Sequence, residues 1–162
     1  TLFVVKSSLI SLYLALSIPL PFISSEKLKL FSIITFLLGL FLIINITNDF
    51  VETCDKKISY KTSYLSRILG KQNWVIFWKD IRLIKSFPTS QGSKVHYFIT
   101  DKDESFLLPQ RIENFEKFVL IISNKTNLNT IELTYLSPLW TYKLLTYLSI
   151  FMIIGEIIAF AI

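Results

Sequence analysis

The chain has 162 residues, of which 52% are hydrophobic, and it carries a formal net charge of +5. Its mean hydropathy is +0.53, and its apolar share exceeds the roughly 45–50% that is usual in soluble domains. A single cysteine and a single histidine exclude an internal disulfide framework and argue against a Cys/His zinc site. The modest charge also lacks the basic stripe of a nucleic-acid-binding protein.

The charged residues concentrate in the middle of the chain. All but 4 of the 17 Lys/Arg residues and all but 2 of the 12 Asp/Glu residues lie between Asp49 and Glu132. The middle therefore has a soluble composition, whereas both ends are apolar. This contrast predicts a helical hairpin in the membrane at residues 1–47, a water-facing domain at 48–136 and a third membrane helix at 137–162.

The first apolar segment runs from Leu2 to Ile23 and has one charge, Lys6, near its start. About 20 mostly apolar residues suffice to cross a bilayer, and a lysine near the end of a span can extend to the headgroups. A signal peptide is the alternative, but its apolar stretch is usually only about 7–15 residues long. We therefore predict a transmembrane helix that tolerates Pro19 and Pro21 near its far end.

The second segment runs from Leu28 to Ile46 and has no charge after Lys29. Only residues 24–27 connect it to the first segment, so the two predicted spans form an antiparallel hairpin. Lys27 and Lys29 lie at this connection, whereas Lys6 and the lysines of residues 56–61 lie on the other side. The positive-inside rule then predicts that the domain faces the cytoplasm or the equivalent stromal compartment.

The third segment runs from Leu139 to Ile162 and begins with Trp140 and Lys143, residue types that anchor helices at membrane interfaces. Glu156 lies inside it. A carboxyl group within a span is costly and marks a functional candidate, for example in a transporter or an enzyme component. The alternative is that Glu156, six residues from the last residue, lies near the far interface.

Short alternating segments after Asn48 predict β-strands separated by turn residues. The predicted strands cover residues 50–54, 58–60, 73–78, 81–87, 94–100 and 105–108, and a further apolar stretch covers 65–69. Ile112, Phe115, Val119 and Ile122 recur at helical spacing and predict an amphipathic helix that starts after Pro109. Residues 130–135 predict one more strand, which makes six or seven strands and one helix.

Four segments resemble a known domain: VETCDKKISYK from Val51, WVIFWKDIRLIK from Trp74, GSKVHYFITDKDESFLLPQ from Gly92 and IENFEKFVLII from Ile112. They are similar to the bacterial pleckstrin-homology-like (PH-like) domain of small membrane proteins. The shared features are the turn after the first strand, the stretch from Trp78 to Ile84, the acidic hairpin turn and the Phe115-Glu116 pair. The resemblance implies an α+β membrane protein with a PH-like β half-barrel and C-terminal helix inserted between spans two and three.

Two spans followed by such a domain also resemble a photosystem I assembly factor family of cyanobacteria and plastids. The third predicted span departs from that family. This resemblance implies a role in assembling a membrane complex and a location in the thylakoid.

No catalytic constellation is predicted. Cys54 and His96 could pair as nucleophile and base, but we interpret Cys54 as a packing residue and His96 as a solvent-facing or edge residue of a strand. Asp101, Asp103 and Glu104 suggest calcium, but they lack further ligands at loop spacing, so we interpret them as a hairpin turn. We therefore predict no enzyme, no metal site and no cofactor.

A candidate binding site combines basic and aromatic residues, namely Lys79, Arg82 and Lys85 with Trp74 and Trp78. Basic residues beside aromatic ones can bind anionic lipid headgroups. The alternative is the outward face of a strand beside a packed core.

These observations predict a non-enzymatic, membrane-anchored interaction module. We expect an accessory or assembly factor of a larger membrane complex, for example a photosynthetic or respiratory one. Its partners would be the lipid bilayer and a membrane-protein complex, but not nucleic acid, and exposed strand edges would let a partner add a strand. The alternative hypotheses are an anionic-lipid-binding membrane protein and a transporter or enzyme component that uses Glu156.

Overall fold

The computed structural model describes residues 2–90 and 92–161 of the chain. It contains two compact units, one formed by Asp49–Pro138 and one that combines Leu2–Asn48 with the helix from Leu139 onward. In chain order the elements are α1 (Phe3–Ser17), α2 (Pro19–Ile23), α3 (Glu26–Ile46), β1 (Phe50–Thr53), β2 (Lys57–Lys61), α4 (Tyr64–Ile68), β3 (Trp74–Phe77), β4 (Ile81–Pro88), β5 (Lys94–Thr100), β6 (Ser105–Leu107), α5 (Phe115–Thr126) and α6 (Leu139–Ala161), with a 3-10 turn at Trp78–Asp80.

Three helical segments are long and apolar enough to cross a membrane: Phe3–Ile23, Glu26–Ile46 and Leu139–Phe160. Twenty-one helical residues extend about 30 Å, which matches the hydrocarbon thickness of a bilayer. The positions confirm the three segments predicted from continuous apolar sequence. α3 has no buried side chain at all.

α1 packs mainly against α6 in the helical unit. Its buried residues are small or medium in size and include Val5, Ser8 and Ala15, and α6 contributes the buried Ser149. Small side chains let two helix backbones approach closely, which is how helices associate in an apolar environment.

α1 and α3 form an antiparallel hairpin. Near one end, the Lys6 ammonium donates a hydrogen bond to the Asn48 side-chain oxygen at 3.1 Å. In the middle, the Tyr13 hydroxyl donates to the Phe36 carbonyl at 2.8 Å, and the two rings stack. Gly39 makes this possible, because a Cβ atom there would collide with the Tyr13 ring.

The six strands form two separate antiparallel sheets, in the orders β1-β2-β3 and β4-β5-β6. Their positions confirm the strands predicted between residues 50 and 108, but the described residues do not form a barrel. Both sheets and α5 contribute to one hydrophobic core, whose buried members are Ile58, Ile76, Trp78, Ile81, Phe98, Leu108, Phe115, Phe118 and Ile122.

α5 directs Phe115, Phe118 and Ile122 into the core, as its helical spacing indicates. It begins later than predicted, because Asn114 adopts a left-handed conformation (φ 53°) and the regular helix starts only at Phe115. Pro109 is therefore not its start, and Ile112 precedes it. Asn127, also left-handed (φ 54°), ends the helix.

Two further predictions differ from the structure. The apolar stretch 65–69 forms part of the helix α4 and not a strand, because the Ser63 hydroxyl accepts a hydrogen bond from the Ser66 amide and caps the first turn. The strand predicted at 130–135 is wrong. Ile131 lies in a turn with 88% of its surface exposed, and the Thr134 carbonyl accepts from the Gln110 amide group at 2.8 Å.

Candidate functional site

The two tryptophans of the predicted basic and aromatic site belong to the core of the domain. Trp78 is buried, and its indole nitrogen donates to the Cys54 carbonyl at 2.8 Å. Trp74 packs against the core between Tyr60 and Phe98, with ring centroids 5.7 and 6.2 Å away. Neither ring is free to stack on a ligand at the surface.

The three basic residues of that site lie in different surroundings. Lys79 lines an open cleft beside the 3-10 turn. Arg82 forms an ion pair with Asp103 of the β5–β6 turn at 2.6 Å. Lys85 lies in β4 with its ammonium 5.2 Å from the centre of the Phe87 ring. The five predicted residues therefore do not form one surface.

The outer face of the second sheet is unusually apolar. Alternation along the paired strands places eight residues on this face, which we call the apolar face: Leu83, Lys85, Phe87, Val95, Tyr97, Ile99, Ser105 and Leu107. Only Lys85 and Ser105 among the eight are neither aliphatic nor aromatic. Sheets with one solvent-facing side normally alternate apolar and polar residues, so this face departs from the rule.

The apolar face is open to solvent. Leu83, Phe87 and Leu107 expose 37%, 42% and 50% of their surface, and Tyr97 packs edge-on against Phe87 at 5.7 Å between ring centroids. None of the eight residues belongs to the core cluster or packs against it. The face is therefore a second apolar surface, separate from the core.

A β-bulge at Arg82 creates this arrangement. The pairing of β4 with β5 shifts register between Ile81 and Leu83, so one extra residue enters β4. Ile81 and Ile84 can then both face the core although three positions separate them, and Leu83 is directed outward. Sequence alternation alone does not reveal such a shift.

The outer face of the first sheet is different. Phe50, Val75 and Phe77 share it with four polar residues, Glu52, Lys57, Ser59 and Lys61. Glu52 and Lys61 form an ion pair at 2.7 Å across the two strands. This sheet is solvated in the usual way, which singles out the second sheet as the candidate interaction surface.

A basic cleft is the second candidate site. It has a volume of about 530 Å³ and is lined by Lys56, Lys79 and Lys125 together with Asp55, Asp80, Phe77 and Trp78. Lys125 forms an ion pair with Asp55 at 3.0 Å, whereas Lys56 and Lys79 have no acidic partner among the described residues. Lys56 and Lys125 were not part of the predicted binding site, because both lie far from Lys79 in the chain. Lys56 is 23 positions before Lys79, and Lys125 is 46 positions after it.

A buried carboxylate, Asp49, connects the beginning of β1 to α4. It accepts hydrogen bonds from the Lys71 ammonium at 2.6 Å, the Tyr60 hydroxyl at 2.9 Å and the Ser66 hydroxyl at 3.2 Å. Burial alone would raise the pKa of Asp49, but the bonds from Lys71 and Tyr60 outweigh it and hold that pKa below the ordinary 3.8. The same burial and the neighbouring carboxylate raise the pKa of Tyr60.

His96 and Cys54 do not occupy the positions expected from the sequence. His96 is fully buried, with Nδ1 at 2.8 Å from the Ser86 hydroxyl and Nε2 without a hydrogen-bond partner among the described residues. Burial, and then the charge of Lys94, lower the pKa of His96. Cys54 is exposed and lies after the end of β1, so it is not a packing residue.

Glu156, the candidate within the third apolar helix, is half-buried in α6. Its Oε2 atom is shielded from solvent and has no hydrogen-bond partner in the part of the chain that the structure describes. A buried carboxylate oxygen without a partner is energetically unfavourable.

The chain is 29% identical over 147 aligned residues to an uncharacterized protein, slr0269, of the cyanobacterium Synechocystis sp.. The alignment covers 87% of this chain and 74% of that protein. Since the domain Asp49–Pro138 has only 90 residues, the similarity also extends into the apolar helices. No family model matches the chain. No solved structure matches it significantly.

Proposed function

We propose that this chain is a non-enzymatic, membrane-anchored interaction module, an accessory or assembly factor of a larger membrane complex. The three long apolar helices support the anchor, because each can cross a bilayer. α3 supports it further, since its exposed surface is almost entirely apolar and none of its side chains is buried. A helix that is apolar on all sides is unfavourable in water.

The domain of residues 49–138 supplies the water-facing part, on the cytoplasmic or stromal-equivalent side. The lysines of residues 56–61 support this orientation. Two three-stranded sheets followed by a core-facing helix support a PH-like fold.

The apolar face carries the proposal. Protein interfaces are enriched in aromatic and aliphatic residues and depleted of charge at their centre, and this face has that composition. Lys85 is its one charged residue and lies on the edge strand β4, directly opposite Tyr97 of the central strand β5. The fitting partner is therefore a protein surface with an apolar centre and a carboxylate opposite Lys85.

A tagged full-length chain, extracted in mild detergent, tests this proposal. We expect a stoichiometric complex that Leu107→Asp and Phe87→Asp each weaken by about 2 kcal/mol, or roughly 30-fold, because a charge replaces an apolar contact at the interface centre. Val75→Asp is the matched control, since Val75 is also exposed but lies on the outer face of the first sheet. The proposal would be contradicted if the chain were isolated without a partner, or if all three variants weakened the complex equally.

The basic cleft favours a second candidate function, binding of anionic lipid headgroups. Lys56, Lys79 and Lys125 converge there against two carboxylates, and each lysine near an anionic surface contributes about 1 kcal/mol. Short-chain phosphatidylglycerol added to the detergent-solubilised protein should change the fluorescence of Trp78, whereas phosphatidylcholine should not. Lys56→Glu with Lys79→Glu should abolish the response, and Lys102→Glu, in the exposed β5–β6 turn, should leave it unchanged.

A further inference from the structure

A groove lies between α2 and α3 within the helical unit. α1 ends at Ser17 and α2 begins at Pro19, so the prolines of α2 interrupt the first apolar segment. The connection to α3 is fixed by a contact of 2.6 Å between the hydroxyls of Ser24 and Ser32. The resulting groove has a volume of about 430 Å³.

The walls of the groove are apolar, and one charged group lies at its end. Phe22 of α2 and Ile33 and Leu37 of α3 line it with 67%, 39% and 57% of their surfaces exposed. Lys29 is the charged lining residue. Lys29 lies in the first turn of α3, so the groove leads from a cation at the hairpin end into progressively more apolar surroundings.

The hairpin end carries a positive charge. Lys27 and Lys29 lie there with one acidic residue, Glu26, whose carboxylate is 3.5 Å from the Lys29 ammonium. The Glu26 side chain is 90% exposed, and half of the Lys29 side chain is exposed as well. This ion pair is weak because solvent screens it, so Lys29 remains available to an anion.

The size of the groove restricts its occupant. On one side only Ile18, Pro21 and Phe22 line the groove, about one turn of helix, which is too short a wall for the several turns of contact that two packed helices need. The α3 wall from Lys29 to Leu37 extends about 12 Å. An extended hydrocarbon chain fits an apolar groove of this length, and a phosphate complements the lysine at its end.

We propose that this groove binds one acyl chain of an anionic phospholipid, with its phosphate on Lys29. The proposal rests on the membrane-spanning part of the proposed function and is independent of any protein partner. The lipid is therefore a bound component of the helical unit, separate from any headgroup in the basic cleft of the domain.

Native mass spectrometry of the full-length protein tests the site, after purification with equal amounts of phosphatidylglycerol and phosphatidylcholine of the same acyl chains. We expect phosphatidylglycerol to be retained in preference. Lys29→Gln should lower that preference about five-fold, the effect of one lysine near an anionic lipid. Leu37→Trp should fill the groove and reduce retention of both lipids.

Matched controls make the test specific. Leu38→Trp introduces the same ring at a neighbouring residue of equal exposure, 56%, that does not line the groove, and it should not alter retention. Lys102→Glu, in the exposed β5–β6 turn, should leave the preference unchanged. Equal retention of the two lipids, or equal effects of Leu37→Trp and Leu38→Trp, would overturn the proposal. Release of the chain from membranes by alkaline carbonate would instead refute the membrane anchor itself.

Discussion

Replacing Asp49 by Asn should destabilise the domain strongly, although it changes only one atom of the side chain. The Asp49 side chain is 8% exposed. An amide nitrogen in the place of Oδ2 would face the donors of Lys71 and Tyr60, so both hydrogen bonds are lost. Each hydrogen bond to a charged acceptor contributes about 1.5 kcal/mol, so the free energy of unfolding should fall by about 3 kcal/mol.

Denaturant unfolding of the full-length chain in non-ionic detergent measures this loss. The fluorescence of Trp74 and Trp78, which both pack in the core, reports on the domain in a Trp140→Phe background that removes the tryptophan of α6. Asp55→Asn is the control, because Asp55 is also paired with a lysine but is 96% exposed, and it should cause little change.

The contribution of Asp49 also depends on pH. Its pKa in the folded state is below the unfolded value of 3.8, so its stabilisation is complete above that value and is lost as the pH falls through the folded pKa. Asp49→Asn should therefore flatten the acid limb of the stability curve. Equal destabilisation by Asp49→Asn and Asp55→Asn, or an unchanged acid limb, would refute the reasoning.

Three further predictions concern other polar or small residues. Burial lowers the pKa of His96 in the fold, so stability should fall by up to about 1.4 kcal/mol per pH unit as the pH drops from 6.5 toward the folded pKa; His96→Asn should abolish this slope in denaturant titrations, and a slope that persists would point to another group. Gly39→Ala should lower the thermal unfolding midpoint of the helical unit, measured by circular dichroism, because a Cβ atom displaces the Tyr13 ring; an unchanged midpoint would contradict the close packing. Glu156→Leu should raise that midpoint, since it removes a buried oxygen without a partner in the described helices; a lower midpoint would indicate that the carboxyl group has a partner in the native protein.

The predictions that rested on long or regular patterns agree with the structure. Continuous apolar runs of about 20 residues have few alternatives to a helix, and short segments that alternate or are rich in β-branched and aromatic residues located all six strands. Signals for the missed helix α4 were also present, because Ser63 precedes it and Gly70, with a φ of 89°, follows it. A five-residue apolar stretch is too short for periodicity to distinguish a helix from a strand.

The candidate sites were less predictable because they depend on tertiary contacts. Trp74 and Trp78 are adjacent to basic residues in sequence, but packing directs their rings into the core. The basic cleft requires Lys125 at the end of α5 to approach the β1–β2 turn. The apolar face requires the bulge at Arg82, which changes which β4 residues are outward.

The bulge also affects whether copies of the protein pair through their sheet edges at high protein concentration. β4 is a sheet edge of eight residues, long enough to template pairing with a neighbouring chain. Arg82 distorts one end of this edge, Pro88 removes a donor at the other, and Lys85 places a charge between them. These features disfavour the strand addition that the sequence suggested. Copies of the protein at high concentration can thus display the apolar face without pairing through their β4 edges.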